Sequence, residues 1–395
     1  MNIFKRIAAM MLAPLMALSM LTSSVSANEE EQVIPIAERT DVAGIEDKCK
    51  SALLMEAGTG RVLYEYNADQ AMPPASVTKI MTLLLVMEAI EDGKISFDDK
   101  VTASAHAASM GGSQIYLKEG EIMSVEDMVK SVVISSANDA ACALAEFVSG
   151  SEGAFVEQMN NRAAELGMKS TAFENTNGLD DTAQNHLTSA RDIAIMSREL
   201  IKHKKILEYS SIWMDTVRNG LFGLTNTNRL VRFYRGCTGL KTGSTAKAGF
   251  CISATAERDG MSLICVIMGS PTRDERNSAA AALLDWGFAN YAVYNHTPKT
   301  LDPLRVKGGS QSSVPIKYDG FSTVTGKGDA SGISCRIELP ESISAPVKKG
   351  DKVGEIVFEK DGNTVGKSDV YADGDVDRIS FFELWYRILA KFLLK

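Results

Sequence analysis

The chain has 395 residues, 45% of them hydrophobic and 23% charged, and a formal net charge of −8. That length exceeds one average domain, and the apolar share supplies a sizeable core, so a disordered or fibrous chain is excluded and two domains are expected. The acidic balance, with no basic run and no aromatic-basic alternation, argues against nucleic acid as a partner.

The first residues, "MNIFKRIAAMMLAPLMALSMLTSSVSANEE", read as an export signal over residues 1–27. Lys5 and Arg6 form the positive start, an apolar stretch runs from Ile7 to about Leu21, and Val25-Ser26-Ala27 is a small-x-small cleavage site. An uncleaved membrane anchor is the other reading of the same segment. Cleavage removes Lys5 and Arg6 and no acid, moving the net charge from −8 to −10. Residues 28–46 are acidic and aperiodic, a linker.

"SALLMEAGTGRVLYEYNAD" alternates and breaks at Gly58-Thr59-Gly60, predicting a hairpin. The pattern then turns helical, from Val77 to about Ile90, with Gly93 as the stop. Ser124, followed three residues on by Asp127, opens a second helix, which breaks at "SSAND" and resumes through "AACALAEFV". "EGAFVEQMNNRAAELGM" is amphipathic up to Gly167. The polar stretch Phe173 to Leu187 is too long for a simple turn and is a candidate functional loop. "SARDIAIMSRELIKH" returns to helix. "AGFCISATAERDGMSLICVIMG" is two apolar runs joined across Asp259-Gly260, again a hairpin, and "RNSAAAALLDWGFANY" is a closing helix. Strands at both ends with helices between predict an α+β domain over 47–297, an antiparallel sheet assembled from its two ends and flanked by helices. Short β-type runs separated by Gly, Ser and Asp then predict a small all-β domain over 300–376.

The end of the chain, residues 378–395, predicts an amphipathic helix. Glu383, Arg387, Lys391 and Lys395 fall four apart on one stripe, and Phe381, Phe382, Leu384, Trp385, Ile388, Leu389, Phe392 and Leu393 surround it. The uncharged stretch is too short to span a bilayer, but it suits a helix lying in the membrane interface. Packing against its own domain or a partner is the alternative. Six cysteines remain after export. Their even number permits disulfides, but Cys142, Cys251 and Cys265 sit in apolar runs that read as buried thiols. The four histidines show no metal-ligand spacing, so no metal is expected to take part in the chemistry.

Three short motifs carry chemistry. Ser76 and Lys79 stand one helical turn apart, so a hydroxyl at a helix start and an amine can touch, and a desolvated lysine can serve as a base. Ser76 is expected to cap this helix and to serve as nucleophile as well, a cap alone being the bland reading, and Ser244 with Lys247 forms a second pair of the same spacing. "SSAND" places Ser136 and Asn138 where one helix breaks into the next. "GLKTGST" places Lys241, Thr242 and Gly243 at a strand position leading into the strand that starts near Gly249; a cation, a hydroxyl and an open backbone there suit an extended peptide ending in a carboxylate.

The set S-x-x-K, S-x-N, K-T-G is the signature of penicillin-binding proteins and serine β-lactamases. Together with "ASVTKIMT", "SSANDAACALAE", "NTNGLDD", "LTSARDIA" and "GLKTGSTAKAGFCISATA", the chain most resembles the low-molecular-mass D-alanyl-D-alanine carboxypeptidases over most of residues 46–295. The small β domain and the amphipathic tail match that family's layout. The resemblance implies that Ser76 attacks the carbonyl between the last two D-alanines of a peptidoglycan stem peptide and forms an acyl-enzyme, with Lys79 accepting its proton. It implies that Ser136 relays a proton to the leaving D-alanine and that Asn138 holds Lys79 and the substrate amide. Lys241 and Thr242 would bind the terminal carboxylate with help from Arg276, and the backbone N–H groups of Ser76 and Ser244 would form the oxyanion hole. No cofactor is implied; β-lactam antibiotics are implied as covalent inhibitors, and the place of action as the outer face of the cytoplasmic membrane and the wall space. Mutual crowding gives Lys79 and Lys241 each a reason for a lowered pKa. Ala137 departs from the glycine that many relatives carry. A serine β-lactamase is the first alternative; its deacylating glutamate would have to be Glu174, which is followed by "NTNGL" instead of the expected pattern. A non-catalytic wall-binding protein is the second, against which the intact Ser76, Lys79, Ser136 and Lys241 speak.

Overall fold

The computed structural model describes residues 42, 44–180 and 183–393. The export segment and the linker up to residue 41 lie outside the described residues, as do positions 181–182 of the polar loop and Lys395 of the terminal stripe.

Strand β1 (Ser51–Glu56) is buried at every position and pairs with β2 (Val62–Tyr66). Their turn closes because the buried Glu56 carboxylate accepts hydrogen bonds from the N–H groups of Gly58 and Thr59 and from Thr59 Oγ1. Strands β3 (Cys237–Thr245), β4 (Gly249–Arg258) and β5 (Met261–Ser270) complete a five-stranded antiparallel sheet in the order β2-β1-β5-β4-β3. Asp259 and Gly260 both take positive φ, the backbone that a two-residue hairpin turn requires. Lys241 lies mid-strand in β3, which begins well before Gly249. With Gly, Thr and Lys around a lone Leu240, that strand carries too little apolar alternation to be seen in sequence.

The longer helices of the catalytic domain are α1 (Lys79–Glu91), α2 (Val125–Ser135), α3 (Asn138–Ser149), α4 (Glu152–Glu165), α5 (Ala190–Leu200) and α6 (Arg273–Asn290). Ser124 Oγ caps α2 by accepting from Asp127 N, as its spacing predicts. Alternate residues of the central strands feed two cores. Leu53, Met55, Ile264, Val266 and Met268 face the layer built around α1, which is itself buried on almost every side. Ala52, Leu54, Leu263, Cys265 and Ile267 face α6. A strand buried on both faces reads as one apolar run, and β5 does.

The C-terminal β region has its own core around Val314, Phe358 and Val370. It contains a four-stranded sheet ordered Ile316–Tyr318, Asn363–Ala372, Lys352–Lys360, Ile333–Glu338. Tyr291–His296, directly after α6, pairs with Phe321–Gly326 of this region, and Val324 packs into the α6 core while its carbonyl accepts from Arg61 Nη1 at 2.6 Å. The two domains therefore share a ladder at their junction. Helix α7 (Phe381–Leu393) follows, and Phe381, Phe382, Leu384, Trp385, Tyr386, Ile388 and Leu389 on it are exposed. All six cysteines are free thiols.

Candidate active site

Two prolines lead into the nucleophile candidate, and Ala75 takes φ +50, a strained value for a residue with a Cβ. Residues Ala75–Thr78 form one 3-10 turn that runs into α1, so Ser76 stands inside the turn and not at a cap position. No side chain caps either helical start there. The capping role expected for Ser76 is thus corrected: its Oγ accepts a hydrogen bond from Lys79 Nζ at 2.9 Å instead. Lys79 is fully buried, and its Nζ also donates to Asn138 Oδ1 at 2.5 Å and to the Asn177 carbonyl at 2.8 Å.

Helix α2 ends at Ser136 in the left-handed conformation, φ +63, which turns the chain so that α3 starts two residues later. The turn brings Ser136 Oγ to Lys241 Nζ at 2.8 Å. Ala137 has an ordinary negative φ and a buried methyl, so alanine at this position introduces no backbone strain. Asn138 Nδ2 donates to the Gly111 carbonyl, fixing the amide so that Oδ1 faces Lys79. Next to it, the buried Asp139 carboxylate accepts from the N–H groups of Ile115, Leu117 and Ala140.

Strand β3 closes the other side. Lys241 is buried and Thr242 Oγ1 donates to Thr227 Oγ1. Gly243 runs against the Ser76 turn so closely that a Cβ there would lie 2.8 Å from Ser76 N and from the Pro74 carbonyl. Ser244 is exposed at the strand's end. The pair Ser244 and Lys247 has no comparable arrangement, since Lys247 Nζ donates to the Asp180 carbonyl. Arg276 is buried rather than on the surface. Its guanidinium reaches Asn277 Oδ1 and the Cys251 carbonyl, and it forms no ion pair with a carboxylate among the described residues.

Three cations thus stand in line out of water. Burial, then Lys241, hold Lys79 well below its usual range, with Asp139 opposing. Burial and Arg276 lower Lys241 to about 7. Burial and Arg273 lower Arg276 to about 10, so it stays charged at neutral pH. The environment favours the neutral amine at Lys79. In that form its two N–H bonds serve Asn138 Oδ1 and the Asn177 carbonyl, and its lone pair faces the partly exposed Ser76 hydroxyl. The charged Arg276 supplies a positive field behind Lys241.

The polar loop contains a residue whose role sequence reading missed. His186 Nδ1 accepts from Glu174 N at 3.0 Å, which leaves Nε2 carrying the proton, 2.7 Å from Thr78 Oγ1. Thr78 in turn donates to the Ala75 carbonyl. Burial lowers His186 to about 4, so it works as a neutral strut from the loop to the Ser76 turn. The Glu174 carboxylate is occupied by the N–H groups of Gln184 and Asn185 within its own loop. Among the described residues, the group of three side chains placed to hold a metal is His106, Cys142 and Glu152, outside this cleft.

Comparison with known proteins gives this geometry its context. The D-alanyl-D-alanine carboxypeptidase family profile (peptidase S11) matches residues 37–272, and that of the penicillin-binding protein 5 C-terminal domain matches residues 297–378. The chain is 40% identical over 392 residues to D-alanyl-D-alanine carboxypeptidase DacF of Bacillus subtilis, covering 98% of each. It is 35% identical over 370 residues to DacC of Escherichia coli, covering 90% of this chain and 91% of that one. The crystal structure of penicillin-binding protein 5 from Haemophilus influenzae superposes with a TM-score of 0.74 at 33% identity, over 84% of this chain and 98% of that one. The chain belongs to the D-alanyl-D-alanine carboxypeptidase family, with a penicillin-binding-protein-like α+β catalytic domain followed by that family's all-β domain.

Proposed function

We propose that this chain is a serine-type D-alanyl-D-alanine carboxypeptidase that removes the terminal D-alanine of peptidoglycan stem pentapeptides through an acyl-enzyme on Ser76. The observation that carries the reading is the fully buried, depressed Lys79 with its Nζ 2.9 Å from Ser76 Oγ. Neutral Lys79 takes the Ser76 proton as Oγ attacks the carbonyl carbon, and the N–H groups of Ser76 and Ser244 receive the oxyanion. The proton passes by way of Ser136 to the nitrogen of the departing D-alanine, and water then releases the shortened peptide. Lys241 and Thr242 receive the terminal carboxylate, Gly243 leaves the strand edge open, and Arg276 supports the field from behind. Asn138 holds Lys79 on one side and the substrate amide on the other. The mechanism calls for no cofactor.

β-Lactams acylate the same serine in this reading. A relative in the family, penicillin-binding protein D2 of Listeria monocytogenes, has been solved in its ampicillin-bound form, with a TM-score of 0.54 at 33% identity over 61% of this chain. Glu174, engaged by its own loop, favours slow turnover of the drug over a β-lactamase activity. We assign residues 47–297 to catalysis, 300–376 to a β domain that stands the catalytic domain off the membrane, and 378–395 to an anchor at the outer face of the cytoplasmic membrane.

The test is D-alanine release by the full chain from a pentapeptide ending in D-Ala-D-Ala, beside its Ser76→Ala variant. Release and labelling by a fluorescent penicillin are expected from the parent and neither from the variant. No release by the parent overturns the carboxypeptidase reading, and labelling without release leaves a penicillin-binding protein of another activity.

A further inference from the structure

Behind the cleft, side chains far apart in sequence converge on one point. His106 belongs to a short helix, Ala105–Ala108; Cys142 lies on α3, one turn past Asn138; Glu152 opens α4. A ring nitrogen of His106, Sγ of Cys142 and a carboxylate oxygen of Glu152 all lie within 4.8 Å of one another. The carboxylate is already oriented. Its Oε1 accepts from both the N–H (3.1 Å) and Oγ1 (2.7 Å) of Thr176, which leaves Oε2 facing His106 Nε2 at 2.7 Å. The sulfur is at the buried end of the group and the imidazole at the exposed end, so an ion can enter from solvent on the His106 side.

We propose that His106, Cys142 and Glu152 form a zinc site, with one position left for water. The donor set selects the metal: a thiolate disfavours magnesium and calcium, and a sulfur, an imidazole nitrogen and a carboxylate oxygen suit tetrahedral zinc. As the Zn–S bond forms, the Cys142 thiol proton passes to solvent. The His106 ring shifts to the tautomer with its proton on Nδ1, so that Nε2 and the Glu152 carboxylate exchange their mutual hydrogen bond for two bonds to the ion. Thr176 supplies the outer partner that holds the carboxylate in place. The site is separate from the Ser76 chemistry but joined to its walls. Thr176 is followed by Asn177, whose carbonyl receives Lys79 Nζ, and the Thr176 carbonyl itself accepts from Thr82 Oγ1. His106 precedes the segment that carries Gly111 and Ser113, which bond the side chain and N–H of Asn138. A bound ion therefore ties the bases of two segments that flank the cleft.

The full chain, kept reduced and stripped with a chelator, is titrated with Co2+ and then with Zn2+. One Co2+ per chain is expected, with a near-ultraviolet sulfur-to-cobalt charge-transfer band that Zn2+ removes and that Cys142→Ser lacks. His106→Ala alters an exposed side chain, so the fold survives; it should weaken Zn2+ binding at least about tenfold in competition with a chromophoric chelator. No band in the parent, an undiminished band in Cys142→Ser, or unchanged Zn2+ affinity in His106→Ala overturns the site and leaves the three side chains as a hydrogen-bonded cluster.

Discussion

Lys79 and Lys241 are both out of water, and among the described residues neither meets a carboxylate at ion-pair distance. Desolvation therefore sets their protonation, and each is pushed toward the neutral amine. The acylation rate with a fluorescent penicillin should accordingly rise with pH as Lys79 loses its proton. Lys241→Met removes the neighbouring cation that helps depress Lys79, so the acid limb of that profile should move to higher pH, whatever the loss in absolute rate. An unmoved limb would show that the two amines do not sense each other. Stability follows the same sign. Lys241 titrates near 7 when folded and near 10.5 when unfolded. In that window the unfolded chain holds a proton that the folded chain lacks, so Lys241 contributes stability that is full above the window and lost as pH falls through it. Denaturant midpoints measured from pH 9 down to pH 7 should fall more steeply for the parent than for Lys241→Met.

The elements that position these side chains differ in how far sequence betrays them. Ser76 with Lys79, and Ser136 with Asn138, are local pairs, legible because a turn or a helix break sets their spacing. The apolar helix α1 and the apolar run of β5 are legible as well, because each is a continuous local stretch. The contacts that bind the motifs to one another are not, because they join residues 59 to 105 positions apart, as Lys79 to Asn138 and Ser136 to Lys241 do. The polar loop stood out by its length, but the strut from His186 to Thr78 spans 108 residues and left no local mark. Ser76 misled as a cap because the 3-10 turn before α1 looks, in sequence, like a helix start. Two element-scale outcomes follow. Gly243→Ala sets a methyl against the backbone of the Ser76 turn, where nothing nearby is a flexible side-chain end, so β3 must move away. Displacements of this size in a catalytic geometry cost about 10²-fold; acylation should fall by that order with the circular dichroism unchanged, and a near-normal rate would place the strand's plasticity above this estimate. His186 titrates near 4 folded against 6.5 unfolded, so its contribution is present above pH 6.5 and lost as pH falls to 4. That is about 3 kcal/mol at most. Urea unfolding at pH 6.5 and 4.5 should therefore show a larger loss for the parent than for His186→Gln.

At the scale of the whole molecule, the two domains and the terminal helix form a sequence of attachments. The catalytic domain is joined to the β region by the Tyr291–His296 ladder, by Val324 in the α6 core and by Arg61 on the Val324 carbonyl, so the junction is more than a linker. Helix α7 is attached differently. Its Arg387 reaches the carbonyls of Gly309 and Ser310, while Phe381, Phe382, Trp385 and Tyr386 are each more than half exposed. That polar stitch, with the aromatic side chains left exposed, supports the proposed interfacial helix over a helix folded onto its own domain. Among the described residues no helix is long and apolar enough to cross a membrane, so the bilayer contact we propose for α7 is a lateral one. An interfacial helix buries its aromatic residues at the level of the headgroups, so its affinity scales with apolar area. The full chain should sediment with phosphatidylglycerol-containing vesicles. Phe382→Glu with Ile388→Glu should abolish sedimentation and leave D-alanine release from a soluble pentapeptide unchanged, because neither residue approaches Ser76. Sedimentation that survives both substitutions would move the membrane contact away from α7 and turn its exposed face into a surface for a protein partner.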